Sequence, residues 1–197
     1  MFEFFSAVSH PFYSVTFRVD VTKPLPLCQG AAFVVLLRDG YLVTDAVNSV
    51  KNFRYAIRDG GVWLLDERIP SLTDLKPGSE QFHIVTLPKV GGIAEFCASA
   101  QTRSAAQKTL LDQDEENDNL IYISCTPWFD LTGCTNERDF DGTTTSPHHM
   151  GQIWRGKMAA RNWGCRWRSI TASSTVSIWG NSTRNYRPTS THYKEAF

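Results

Sequence analysis

Strand-length and helix-length segments interleave over the first 150 residues, and this alternation narrows the fold more than any single motif. Phe12 to Asp20 (FYSVTFRVD) alternates polar and apolar positions and is rich in β-branched and aromatic residues, the pattern of a half-buried strand. Pro24 and Pro26 punctuate the next segment. Ala31 to Val50 is apolar over a length suited to a buried helix, although Asp39-Gly40 at its middle also permits a hairpin. Phe53 to Ile57, the Asp59-Gly60-Gly61 turn and Val62 to Asp66 predict a β-hairpin. Phe82 to Leu87 is a further strand, Gly92 to Leu111 a helix, and Asp112 to Asn119 (DQDEENDN) a solvated acidic loop. Leu120 to Ser124 is a short buried strand, ended by Cys125-Thr126-Pro127-Trp128. Interleaving of this kind implies an α/β or α+β domain, with a mixed β-sheet covered by helices.

Several function classes drop out on composition. At 197 residues with 42% hydrophobic content, the chain can bury a sizeable core and is not disordered as a whole. No apolar run approaches the ~20 residues needed to span a bilayer, so no membrane partner is expected. Met1 to Phe5 lacks the basic region and small-residue cleavage site of a signal peptide. Five cysteines (Cys28, Cys97, Cys125, Cys134, Cys165) form an odd, widely spaced set without CxxC, as expected of reduced thiols in a cytoplasmic protein. Glu137, Asp139 and Asp141-Gly142 lack the spacing and distal glutamate of an EF-hand, so no metal is expected.

Twenty basic and twenty acidic residues cancel, but the balance hides a break. Residues 151–197 hold eight Lys/Arg against the single acid Glu195, leaving twelve basic and nineteen acidic residues in 1–150. The two parts therefore carry +7 and −7. Four of the six tryptophans (Trp154, Trp163, Trp167, Trp179) fall in the last 47 residues, and Ser169 to Ser177 shows neither helical nor strand periodicity. One reading is a basic, aromatic tail for single-stranded nucleic acid. The other is a segment translated out of frame.

An ordered set of short segments decides between them. Met1 to Phe5 (MFEFF) resembles the HFExF opening of chloramphenicol acetyltransferases, and Val15 to Thr22 the strand that comes after it. Asn52 to Leu65 (NFRYAIRDGGVWLL) is similar to that family's EFRxxIxDG hairpin, and Phe82 to Cys97 to its next strand and helix. Ile121 to Trp128 (IYISCTPW) with Leu131-Thr132 resembles its SxxPWxxFT segment. The resemblance covers roughly residues 1–147. The family's C-terminal HxxxDG motif is not present in residues 151–197 as written. Back-translation of Ala160 to Arg187 with a slipped frame nevertheless permits H-x-x-x-D-G, with the histidine codon across Ile170/Thr171 and the Asp-Gly pair across Ser174 to Val176. The opposite slip over His148 to Arg155 permits the family's G-K-Y. Two bases of each hidden codon are fixed by the visible residue, so the spacing is hard to obtain by chance. This divides the chain into an incomplete acetyltransferase-like domain, 1–147, and a basic, Trp-rich, out-of-frame segment, 148–197, expected to pack poorly and expose its tryptophans.

The resemblance implies acetyl transfer from acetyl-coenzyme A, a co-substrate with no tightly bound cofactor beside it, to a hydroxyl of chloramphenicol or a similar small acceptor. It also implies an α/β two-layer sandwich and a homotrimer with active sites between subunits. A histidine would act as general base, its ordinary pKa of ~6.5 suiting the task. By alignment Ser124 is the oxyanion donor. Phe4, Phe5, Tyr13 and Phe82 would line the acceptor pocket, with Tyr122 two residues before Ser124 on the same side of its strand. The family usually has a polar, amide-like residue at the position of Tyr122, which leaves acceptor selectivity open. His148-His149 imitates the family's double histidine, and His149 is the visible candidate base, but no Asp-Gly lies four residues on. The arginine that precedes HFExF in the family is also missing. The related dihydrolipoamide acyltransferase domains are the runner-up. A non-catalytic remnant or a binding module with a basic tail is the rival outside enzymes.

Overall fold

In the computed structural model, residues 4, 7–8, 12–20, 32–59, 61–126, 149–155 and 162–170 are described. The elements run β1 (Phe12–Asp20), α1 (Ala32–Asn48), β2 (Tyr55–Arg58), β3 (Gly61–Leu64), β4 (Ile69–Leu75), β5 (Phe82–Thr86), α2 (Ile93–Ala106), β6 (Leu120–Thr126), β7 (His149–Arg155) and β8 (Asn162–Ile170). Strands β1-β8-β7-β6-β4-β5 form one mixed sheet, and β2-β3 a separate hairpin. β6 runs parallel to both β4 and β7, while the other pairings are antiparallel. The α/β architecture expected from the interleaved segments is present.

The alternation of β1 is realised directly. Tyr13, Val15 and Phe17 pack on the core, and Ser14 and Thr16 are exposed between them. Ala31 to Val50 resolves as a helix rather than a hairpin. Gly40 sits inside α1, where an added Cβ would stand 3.1 Å from Leu72 Cδ1, so the glycine serves close approach of helix to sheet. The hairpin is shorter by two residues at each outer end than its sequence signal, running from Tyr55 to Leu64, with Asp59 at φ 51°, the left-handed conformation that a tight I′-type turn demands of its first residue. Helix α2 is shorter than its pattern suggests, because residues 107–111 are drawn along the outer edge of β5. Ile84 N–H donates to Leu110 O at 2.7 Å, and Gln107 Nε2 donates to Ile84 O at 2.6 Å. Those contacts satisfy edge groups that would otherwise be left open.

Three strands carry no clear sequence signal. β4 is interrupted by Pro70 at its second position, where the missing N–H is tolerated near a strand start. β7 and β8 lie in the C-terminal segment, whose sequence predicts no element, and they fill the gap between β6 and β1. The sheet thus runs across the boundary placed at residue 147. Residues 156–161 and 171–197 lie outside the described residues, as do the acids 137–141.

Both helices cover one face of the sheet. Leu37, Leu42, Phe53, Leu72, Val85, Phe96, Ile121 and Ile123 are each at most 2% exposed there. Tyr41 meets Phe96 edge-on, with ring centroids 5.3 Å apart. Burying each such side chain contributes ~1.5–3 kcal/mol. Among the described residues no helix is long and apolar enough to cross a membrane.

Candidate active site

Period two divides the residues of the three neighbouring strands β5, β4 and β6 between opposite faces. His83 and Val85, Pro70, Leu72 and Asp74, and Ile121 and Ile123 take the helix-covered face. Phe82, Ile84 and Thr86, Ser71, Thr73 and Leu75, and Leu120, Tyr122 and Ser124 take the other. One face is aliphatic, and the opposite one carries a patch of hydroxyls: Thr86, Ser71 and Tyr122 stand in one register row, with Thr73 and Ser124 one row further along. Ser124 lies near the C-terminal end of β6 and is partly exposed. Ser71 is 1% exposed, and its Oγ has no hydrogen-bond partner among the described residues.

The start of β6 is fixed by a buried arginine. Arg68 is fully buried and donates to three main-chain carbonyls: Phe53 O from Nε at 2.9 Å, Tyr55 O from Nη2 at 2.5 Å, and Asp118 O from Nη1. Burial pulls its pKa below the usual guanidinium range, to about 10, against the attraction of Asp118. Asn48 at the end of α1 brackets the same residue, accepting from its N–H at 2.7 Å and donating to its carbonyl at 3.0 Å. Arg58 grips the Asp118 carboxylate with two bonds of 2.6 and 2.7 Å, which holds that carboxyl below its usual range. Ile69 N–H then donates to Asn119 O at 3.0 Å, one step before β4 and β6 begin to pair. Hairpin, helix and loop therefore converge on the strand that carries Ser124.

The acidic loop is anchored as well as solvated. Glu115 pairs with Arg103 of α2, whose Nε donates to Thr86 O at 3.0 Å. The Tyr122 hydroxyl donates to Glu116 Oε2 at 2.5 Å. Burial, then this carboxylate, push the phenol above the usual tyrosine range.

The proposed pocket residues divide. Tyr122 and Ser124 share the open face, and so does Phe82, which is 53% exposed. Two strands and two residues separate Phe82 from Ser124, ~12 Å between backbone positions from strand spacing alone. Tyr13 faces the other way and packs on the core, because its register with β8 puts positions 13, 15 and 17 under the helices. Phe4 is 71% exposed. Phe5 and Trp128 lie outside the described residues. The backbone of His149 pairs with Ile121, three positions and ~10 Å along β7 from Gln152, the register partner of Ser124. Sequence reasoning missed Ser71, Thr73, Thr86 and Glu116. The first two become visible once 69–75 is read as a strand.

A second cluster has the composition of a nucleophilic triad without its order. Ser104 Oγ donates to Asp74, His83 Nε2 lies 2.9 Å from that oxygen, and the same nitrogen is 3.8 Å from Asp74 Oδ2. In a working triad the acid binds the ring nitrogen remote from the serine. Here it takes the serine's own proton, so the cluster pins α2 to β4 and β5. Among the described residues no group of three or more His, Cys, Asp or Glu is placed to hold a metal ion.

The sequence model of the chloramphenicol acetyltransferase family matches residues 1–147. The chain belongs to the chloramphenicol acetyltransferase family. It is 26% identical over 119 residues to chloramphenicol acetyltransferase 3 of Escherichia coli, a match spanning 59% of this chain and 56% of that protein. The fold is similar to a solved chloramphenicol acetyltransferase, with a TM-score of 0.78, 17% identity, and coverage of 95% of this chain and 92% of the other. It is also similar to the dihydrolipoamide acetyltransferase of Azotobacter vinelandii, in which a serine, a histidine and an asparagine have been examined for their roles in catalysis. That match has a TM-score of 0.63 at 10% identity, over 94% of this chain and 83% of that one. A third match is a probable dihydrolipoamide acetyltransferase from Listeria monocytogenes, with a TM-score of 0.61, 9% identity, and coverage of 91% and 84%.

Proposed function

We propose that this chain is a chloramphenicol O-acetyltransferase impaired by its C-terminal segment. The observation that carries the reading is Ser124, partly exposed near the end of β6, on the sheet face that the helices leave uncovered and beside the ring of Tyr122. The acceptor hydroxyl oxygen attacks the thioester carbonyl of acetyl-coenzyme A while a base takes its proton. Ser124 Oγ–H donates to the oxyanion of the tetrahedral intermediate, a contact typically worth ~10²–10³ in rate. Collapse breaks the C–S bond, and the departing thiolate takes a proton to leave coenzyme A and the acetyl ester. The step that lacks its residue is the proton transfer. The visible chain has no HxxxDG, and removing a general base typically costs ~10²–10⁴. A homotrimer with its sites between subunits belongs to the same reading.

The test compares the chain as written with one whose frame is restored across residues 148–197, the latter also carrying the arginine that precedes HFExF in the family. Thiol release is monitored with acetyl-coenzyme A and either chloramphenicol or dihydrolipoamide. The expected result is turnover with chloramphenicol in the restored chain and near silence in the original. Robust turnover by the original would assign the base to another residue, His149 first. Silence of both with chloramphenicol, or preference for dihydrolipoamide, would overturn the acceptor.

A further inference from the structure

Resting on that reading, we propose that Glu116 is a positioning residue of the acceptor site: its carboxylate holds the Tyr122 hydroxyl, so that Tyr122 offers an acceptor its ring and not its O–H. A tyrosine side chain has two soft torsions, and a bond at its far end fixes both. The bond is made by Tyr122 Oη to Glu116 Oε2 at 2.5 Å. Glu116 is itself held on both sides. Its neighbour Glu115 is tied to Arg103, which is tied to Thr86 O, and Asp118 is gripped by Arg58 while its carbonyl accepts from Arg68. The anchors bring the loop to both flanks of Ser71, because Thr86, Ser71 and Tyr122 occupy one row of the sheet. Ser71 Oγ is buried without a partner among the described residues, although a phenol stands next to it in register. The phenol proton goes instead to a carboxylate, the stronger acceptor. Where an amide side chain would hydrogen-bond an acceptor, this chain presents a clamped aromatic surface. The acceptor class favoured is a flat aromatic alcohol, selected by stacking.

The experiment is a double-mutant cycle, E116A, Y122F and the pair, reading chloramphenicol affinity by calorimetry, with E116Q as the conservative variant. The pair should act as one unit. Each single change weakens binding by about three- to tenfold, the double change weakens it no further, and E116Q, which still accepts the bond, recovers most of the loss. A second readout is the alkaline absorbance titration of tyrosine at ~295 nm, in which the Tyr122 component should move to lower pH in E116A. Unchanged affinity in E116A, additive losses, or an unmoved phenol titration would each overturn the proposal. A moved titration in a chain that binds no chloramphenicol would overturn the acceptor assignment and with it Glu116's role there. The hydrogen bond itself would then be confirmed as purely structural.

Discussion

Replacing Arg68 should separate the effect of its charge from that of its shape. Its guanidinium serves three carbonyls, those of Phe53, Tyr55 and Asp118. Leaving a buried acceptor unpaired costs ~1–3 kcal/mol. With two of the three bonds only part-buried, R68M forfeits roughly 3–6 kcal/mol by the low end of that range. An opposing effect must be set against this. Burial draws the Arg68 pKa well below the usual guanidinium range, to about 10, so the protein holds this cation at a cost, on the order of 3 kcal/mol at 1.36 kcal/mol per pKa unit. Methionine recovers that cost and keeps an apolar stem, so R68M should lose only about 0–3 kcal/mol. R68K keeps the charge but replaces a planar fork with a point ammonium that cannot reach three carbonyls, and should lose about 3–5 kcal/mol. The charge-conserving change is therefore the worse one. Urea unfolding of the three chains at pH 7, with slopes compared to check that two-state behaviour holds, measures both differences. If R68K is milder than R68M by more than about 0.5 kcal/mol, beyond the usual scatter of such measurements, the charge and not the fork holds the hairpin to β6.

Buried groups elsewhere lead to two more expected outcomes. Asp39 is fully buried with Oδ2 unpaired among the described residues, and burial, opposed by Arg38, raises its carboxyl from 3.8 to about 6. Its native form therefore binds the proton more tightly than the unfolded chain. The stability it contributes is complete below pH ~3.8 and is lost as pH rises through ~6, by at most about 3 kcal/mol. Wild type should lose stability relative to D39N over that window, and a flat difference from pH 4 to 7 would refute the assignment. For the Ser104 cluster, S104A should cost about 1–2 kcal/mol in urea unfolding, and a fluorophosphonate probe should not label Ser104. Labelling there would show that the serine is activated after all.

How much can be read from the sequence depends on where the deciding contacts lie. β1 is legible because its alternation is local. β4 is not, since Pro70 and the polar residues Ser71, Thr73 and Asp74 look like a turn until the neighbouring strands pair with them. The pattern of helix α2 overruns its true end because that end is set by the unpaired edge of β5, which no window around residue 107 contains. In the candidate site, Tyr122 and Ser124 share a face by simple spacing along one strand. Tyr13 reads as a member of that site although it packs beneath the helices, because the face it takes is chosen by pairing with β8, more than a hundred residues away. Glu116 reads as solvent-facing charge, and only the fold of the loop brings it back onto Tyr122.

The strand order also sets a timetable for synthesis. Phe12 pairs with Ile170, and between β1 and the rest of the sheet stand only β8 and β7. β1 leaves the ribosome before the other described strands and is thus the last of them to find a neighbour. Its apolar side, Tyr13, Val15 and Phe17, must wait while the helices, the hairpin and the β4–β5–β6 half of the sheet can already assemble. Such late, distant closure slows folding and leaves a sticky edge exposed. Any event that alters the last fifty codons therefore acts backwards on the first twenty, and nascent chains halted before residue 162 should be clients of chaperones that recognise unpaired, aromatic-rich strands.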